Sequence, residues 1–210
     1  MPYPIEINFL VEGSIDAAIA RNLIRVGGAA SGMERITRGK AKLVADLPKY
    51  NSAARFQPWL AIRDLNGDAP CPPLLVQNNL PDPSPLMCFR IAVREAESWL
   101  MADRDAFAAA LGVNLALVPD DPEALRDPKQ TVVNLARRSR KRNVRLGLVP
   151  EPGAGISIGP EYAAWMIEFA DQIWSPIRAS NSGAVPSLTR AINCIRRLIN
   201  RTRELFSPQA

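Results

Sequence analysis

The sequence predicts an α/β protein: a mostly parallel sheet flanked by helices, followed by a C-terminal helical extension. Two observations carry this prediction. Short β-type runs alternate with helical stripes over the first half of the chain, and helices dominate the later half. A third is size and composition: 210 residues suffice for one sizeable core, or one domain plus a helical appendage, and a hydrophobic share of 47% indicates a folded chain. Residues 1–112 are expected to form the α/β core and residues 113–210 the extension packed on it.

The elements follow in order. Ile5 to Val11 is a β-type run bounded by Pro4 and Gly13. Ser14 is the expected N-cap of a helix whose stripe is Ile15, Ala18, Ile19, Asn22, Leu23 and Val26, ended by Gly27-Gly28. Residues 34–38 read as a short second strand, and Lys40 to Tyr50 as a helix interrupted by Pro48. Trp59 to Ile62 is the next strand, stopping at the turn-rich Arg63-Asp64-Leu65-Asn66-Gly67-Asp68. The prolines between Pro70 and Pro85 read as loop, and Leu86 to Val93 as a further strand. Helices are then expected over Arg94–Met101, Asp105–Leu111 (closed by Gly112), Pro128–Arg142, Glu161–Ile173 and Ser187–Phe206. Trp99, Trp165 and Trp174 fall on apolar helix faces and are expected in the core.

Composition excludes several chemistries. There is no histidine, which removes Ser-His-Asp hydrolysis, histidine-metal nucleases and most catalytic zinc sites. Acid–base or metal work must come from carboxylates, lysines, tyrosines or bound water. The three cysteines, Cys71, Cys88 and Cys194, are few, far apart and odd in number, which suits a reducing cytoplasm better than a disulfide framework. No apolar run approaches the ~20 residues that span a bilayer, so no membrane partner is expected. The start, Met1-Pro-Tyr-Pro-Ile-Glu, lacks a signal-peptide layout, and a cytoplasmic protein is expected.

The net charge of +5 is unevenly spread. Basic residues cluster in Arg137-Arg138-Ser139-Arg140-Lys141-Arg142 and again along Arg190 to Arg203. The first cluster is the candidate contact to a nucleic-acid backbone, DNA or RNA, through Arg137, Arg138, Arg140, Lys141 and Arg142. No aromatic residue is interleaved with it, so base stacking is not indicated. A solvated helix face is the other reading of the same run.

Two acidic features occupy equivalent places. Glu12 follows the first strand and Asp64 follows the Trp59 strand, so a parallel sheet would bring both to its carboxyl edge, where open α/β sheets bind ligands. Asp68 lies four residues further along the turn, with Gly67 letting the chain fold sharply. Oxygen ligands on one loop, joined by a carboxylate from a neighbouring strand end, suit Mg²⁺ or Mn²⁺. Capping at Glu12 and an Asx-type turn at Asp64–Asp68 are the structural alternatives.

Phe9-Leu-Val-Glu12-Gly-Ser-Ile-Asp16 resembles the first motif of the Toprim superfamily, a Rossmann-like fold, and Ile62-Arg-Asp64-Leu-Asn66-Gly-Asp68 resembles its Asp-x-Asp motif. That superfamily includes topoisomerase and primase catalytic domains, recombination mediators and the OLD-type nucleases of phage defence. The chain is also similar to small stand-alone bacterial Toprim-like proteins. The matching segments are Arg94-Glu-Ala-Glu97-Ser-Trp99-Leu-Met-Ala-Asp103, Asp127-Pro-Lys129, Trp174-Ser-Pro176 and Pro186-Ser187-Leu188. The resemblance implies an Mg²⁺-dependent phosphodiester-cleaving protein. Glu12 would be metal ligand or general acid/base, Asp64, Asn66 and Asp68 would hold metal, and Glu97 would add a ligand. Glu95 would either add one or stabilise a helix N-terminus. Lys129 would contact a phosphate or the transition-state charge. Asn66 stands where the family has the second acid, which removes one negative charge from the site. The resemblance equally implies a non-catalytic accessory subunit that binds nucleic acid or an ATPase encoded nearby.

Overall fold

The computed structural model describes residues 4–206. Met1 to Tyr3, on which part of the N-terminal reading falls, lie outside the described residues. Four strands, β1 (Glu6–Val11), β2 (Ala30–Ile36), β3 (Trp59–Asp64) and β4 (Met87–Ala92), form one sheet in the order β2-β1-β3-β4. Every pairing is parallel. Ten α-helices are described: α1 (Ser14–Val26), α2 (Lys40–Ala53), α3 (Pro72–Asn79), α4 (Glu97–Met101), α5 (Arg104–Leu111), α6 (Pro128–Arg137), α7 (Arg142–Leu148), α8 (Tyr162–Gln172), α9 (Pro176–Asn181) and α10 (Pro186–Phe206).

The two inner strands are largely apolar, with Asn8 the one polar interruption inside β1, because both faces are covered. Ile7, Phe9 and Val11 of β1, with Leu60 and Ile62 of β3, face a core shared with α1, α4, α5, α6, α8 and α10. Leu10, Trp59, Ala61, Phe89 and Ile91 face the opposite core, with Leu43, Leu47 and Tyr50 of α2 and Leu75 of α3. Helices therefore lie on both sides of the sheet in a Rossmann-like arrangement. The first core continues from Ile7 to Ile199, so the late helices share it with the sheet. Trp99 and Trp174 are buried in it as expected; Trp165 is half-buried and stacks on Phe169 with ring centroids 5.5 Å apart.

Several expectations need correcting. Strand β2 starts earlier than residue 34 because it pairs with β1 from Glu6↔Ala30 onward, through a register irregularity opposite Asn8. The side-chain oxygen of Asn8 accepts from Met33 N–H at 2.7 Å and fills the space a side chain at Gly32 would need. Helix α2 continues past Pro48, anchored on the sheet by Leu43, Leu47 and Tyr50. The proline-rich stretch holds a helix, because Pro72 and Pro73 occupy the first helical positions, where a missing N–H costs nothing. Gly13, not Ser14, caps α1, and Asp16 Oδ2 accepts the Gly13 N–H at 2.8 Å. Helix α4 begins at Glu97, since residues 93–96 pass from β4 through a loop with a cis Val93–Arg94 peptide.

The expected Pro128–Arg142 helix is broken between α6 and α7. Buried Ser139 holds the break: its hydroxyl donates to the Leu111 carbonyl and accepts Lys141 N–H at 2.9 Å. The cysteine reading is reversed. Cys88 of β4 and Cys194 of α10 form a disulfide across 106 residues, with Cα atoms 6.1 Å apart, and Cys71 is the free thiol. Among the described residues no helix is long and apolar enough to cross a membrane.

Candidate acidic centre at the carboxyl edge of the sheet

Strands β1, β3 and β4 are neighbours and run the same way, so their carboxyl ends lie side by side. Glu12 leaves β1, Asp64 closes β3, and the loop after β4 leads into Glu97 at the first residue of α4. The local bonding fixes these positions. Asp64 Oδ1 accepts from Ala96 N–H at 2.9 Å, which ties the end of β3 to the entry of α4. Glu97 is 3% exposed; its Oε1 accepts from the Tyr162 hydroxyl at 3.3 Å and lies 3.8 Å from Lys129 Nζ. Glu95 Oε2 accepts from Lys129 N–H at 3.1 Å, so Glu95 serves the N-terminus of α6 rather than that of its own helix.

The electrostatics follow from packing like charges together. Burial of its carboxyl raises Asp64 well above the ordinary range, and Asp16, Glu97, Glu12 and Glu95 raise it further. Asp16 is pushed up to about 7 by burial, with Glu97 and Glu12 adding to it and the Gly13 N–H opposing. Burial also raises Glu97 and Glu12, opposed by Lys129 at the first and by the Arg63 guanidinium at the second. Burial works against charge on Lys129, yet Glu97, Glu95, Asp64 and Asp16 more than reverse it and hold the ammonium protonated. Tyr162 is raised by burial and by Glu97, so its hydroxyl remains a donor. Five carboxylates and one lysine thus share a single electrostatic neighbourhood.

Four of the expected site residues come together here: Glu12, Asp64, Glu97 and Lys129. The other two candidates on the turn are placed differently. Asp68 faces two cations, accepting from Lys40 Nζ at 2.7 Å and from the Arg63 guanidinium, and the Lys40 bond holds its pKa down. Asn66 sits in left-handed backbone (φ 50°), a conformation asparagine tolerates better than most residues, and its N–H donates to the Arg94 carbonyl at 2.9 Å.

Sequence reasoning left Asp16, Arg63 and Tyr162 unassigned. Asp16 had a visible signal, since it stands four residues after Glu12 in the first turn of α1. Arg63, 5% exposed, approaches Glu12 Oε1 to 3.8 Å and needed the alternation of β3 to be recognised. Tyr162 arrives from 65 residues beyond Glu97, and nothing local announces it.

The donor set is all hard oxygen, as Mg²⁺ and Mn²⁺ require, and Glu12 Oε1 is buried without a hydrogen-bond partner. Among the described residues, however, no three His, Cys, Asp or Glu side chains are arranged to hold an ion as they stand. The fit is one of charge and ligand chemistry rather than of a formed cage.

In the expected nucleic-acid patch, Arg137, Arg138, Arg140 and Arg142 are exposed, with no side-chain hydrogen bond or ion pair among the described residues. Lys141 differs: its Nζ donates to the Ala109 and Ala110 carbonyls at 3.0 and 2.9 Å, capping the end of α5. Eight residues of helix separate Lys129 from Arg137, roughly 12 Å at 1.5 Å per residue.

Comparison with protein-family models, with curated proteins and with solved structures returns no match. Fold and site together define an α/β protein with an all-parallel four-stranded sheet and an acidic cluster at its carboxyl edge.

Proposed function

We propose that this chain is a Toprim-like, divalent-metal-dependent phosphodiester-cleaving protein that acts on nucleic acid, in the setting of defence against foreign nucleic acid that the motif resemblance implies. The observation that carries the reading is the crowding of Glu12, Asp16, Glu95 and Glu97 around Asp64, each raising its pKa. Such a cluster repels itself unless a cation or protons relieve it. Glu12, Asp64 and Glu97, with Asp16, would hold the ion. When bound, Mg²⁺ or Mn²⁺ would polarise a phosphate and lower the pKa of a water. Lys129, held protonated, presents a positive charge to a phosphate oxygen beside Glu97. Glu12, whose pKa lies above that of an ordinary glutamate, is suited to hold or release a proton there. The exposed arginines at the α6–α7 break offer contacts to the strand's backbone.

The test is cleavage of DNA and RNA with Mg²⁺ or Mn²⁺. Activity is expected to fall to background in Asp64→Asn and in Glu12→Gln, with both variants folded. Undiminished cleavage by either variant would reject this assignment.

One observation favours a second reading. With Asp68 paired to Lys40 and Arg63 and no charge at Asn66, Asp64 is the one acid on its turn that makes no ion pair among the described residues. A non-catalytic accessory subunit, binding nucleic acid or a partner ATPase, fits such a reduced site. It is favoured if the purified protein binds DNA or RNA but cleaves neither with either metal.

A further inference from the structure

A groove that contains none of these acidic residues lies beside the sheet. Strand β4 is an end strand of the sheet, and the groove, of about 730 Å³, runs beside it between α3 and α10. That volume is in the range of small-molecule sites. One wall is apolar and poor in donors, built from Pro72, Pro73, Val76 and Leu80. The other carries Arg90 from β4 and Arg190 from α10. No residue of the groove belongs to the acidic centre.

The arginines lack what such residues ordinarily have. Arg90 Nε is buried with no hydrogen-bond partner. Among the described residues, neither Arg90 nor Arg190 nor Arg197 makes an ion pair. Burial weakens the hold of Arg90 on its proton, and the charges of Arg190 and Arg197 weaken it further, so each of the two lies close enough to repel Arg90. Glu123, the acid that feels Arg190, is already committed: Ser187 donates to its Oε1 from N–H at 2.9 Å and from the hydroxyl at 2.6 Å. The disulfide from Cys88 to Cys194 ties α10 to β4, the two elements that carry Arg190 and Arg90.

We propose that the α3–α10 groove binds a small organic phosphate, with the phosphate held by Arg90 and Arg190 and a flat apolar body laid against the proline wall. Guanidinium forks match phosphate oxygens in pairs, and a doubly charged anion relieves the repulsion that Arg190 and Arg197 exert on Arg90. Prolines offer a donor-free surface to a planar ring. A single nucleoside monophosphate has this combination of parts, and the inference is independent of the acidic centre.

AMP is the probe, titrated calorimetrically in EDTA so that no metal site contributes. Saturable binding is expected, with adenosine and inorganic phosphate each at least about tenfold weaker, since each lacks one of the two recognised parts. Arg190→Gln, at an exposed position of α10, is expected to weaken AMP about tenfold without altering thermal unfolding. Arg90→Gln is expected to do the same where it folds. Cys71, the exposed free thiol lining the groove, gives an independent readout: AMP should slow its alkylation by iodoacetamide. The proposal is overturned by no saturable AMP binding at roughly 10 mM, by adenosine binding equally well, or by AMP affinity unchanged in Arg190→Gln. Alkylation of Cys71 indifferent to AMP also overturns it. Displacement of AMP by an oligonucleotide without terminal phosphate would overturn it too, by making the groove a strand track.

Discussion

Asp16 shows how one side chain can do two physical jobs. Its carboxylate caps α1 by accepting the Gly13 N–H, and burial, with Glu97 and Glu12 adding to it, raises its pKa to about 7. The unfolded chain releases this proton near pH 4, while the folded protein keeps it until about pH 7. The folded state therefore binds more protons across that window, and stability falls as pH rises from about 4 to about 7. Above that the contribution is constant. In EDTA, Asp16→Asn is expected to flatten this slope and to raise unfolding free energy at pH 8 by about 1–4 kcal/mol. Urea denaturation at pH 5 and pH 8 checks it; an equal change at both values would contradict the assignment. A bound divalent cation should substitute for the lost protons, so Mg²⁺ should stabilise the native chain more at pH 8 than at pH 5.

Among the elements, α10 has the most informative start. Ser187, 2% exposed, donates to Glu123, accepts the Trp99 Nε1–H at 2.6 Å and receives Val93 N–H at 3.4 Å. Trp174 Nε1–H in turn donates to the Trp99 carbonyl at 3.0 Å. The segments around Trp99, Trp174 and Pro186-Ser187-Leu188 thus meet in one buried network, which gives them a structural role in locking β4, α4 and α10 together. Ser187→Ala would leave the Trp99 indole N–H buried without that acceptor and should cost about 1–3 kcal/mol in thermal unfolding. Mn²⁺ affinity should stay unchanged, because Ser187 bonds to Glu123 and makes no hydrogen bond to Glu12, Asp16, Asp64, Glu95 or Glu97. The α6–α7 break carries the other prediction at this scale. Replacing Arg137, Arg138, Arg140 and Arg142 together by Gln should weaken nucleic-acid binding without sequence preference. Its salt slope should flatten by about 0.9 for every phosphate that the variant no longer neutralises. An unaltered slope would assign these arginines to the solvated face instead.

Across the whole molecule, the sheet and the late helices are one cooperative body, since a single apolar core runs from β1 to α10. The Cys88–Cys194 disulfide ties the end strand to the last helix and closes a loop of 106 residues. Constraining so long a segment in the unfolded chain is worth about 2–5 kcal/mol. Cys194→Ser should therefore lower the unfolding temperature under oxidising conditions and have little effect once the parent protein is reduced. Equal stability of the parent with and without reductant would show that the bond contributes nothing.

Alternating β runs and helical stripes determined the α/β class, the strands around Phe9, Leu60 and Phe89, and the convergence of Glu12 with Asp64. Those features are legible because hydrophobic period and chain order act locally, and a parallel sheet must gather its carboxyl ends at one edge. The proline-capped helix α3 and the break at Ser139 were misread because proline and serine carry different meanings at an element's start and in its interior. Asp68 looked equivalent to Asp64, and only the approach of Lys40 and Arg63 separated them. Tyr162 over Glu97, the pairing of Arg90 with Arg190 in the α3–α10 groove and the Cys88–Cys194 bond were decided by tertiary structure alone. In each case the partners lie tens of residues apart, and no local pattern encodes which distant side chain will arrive.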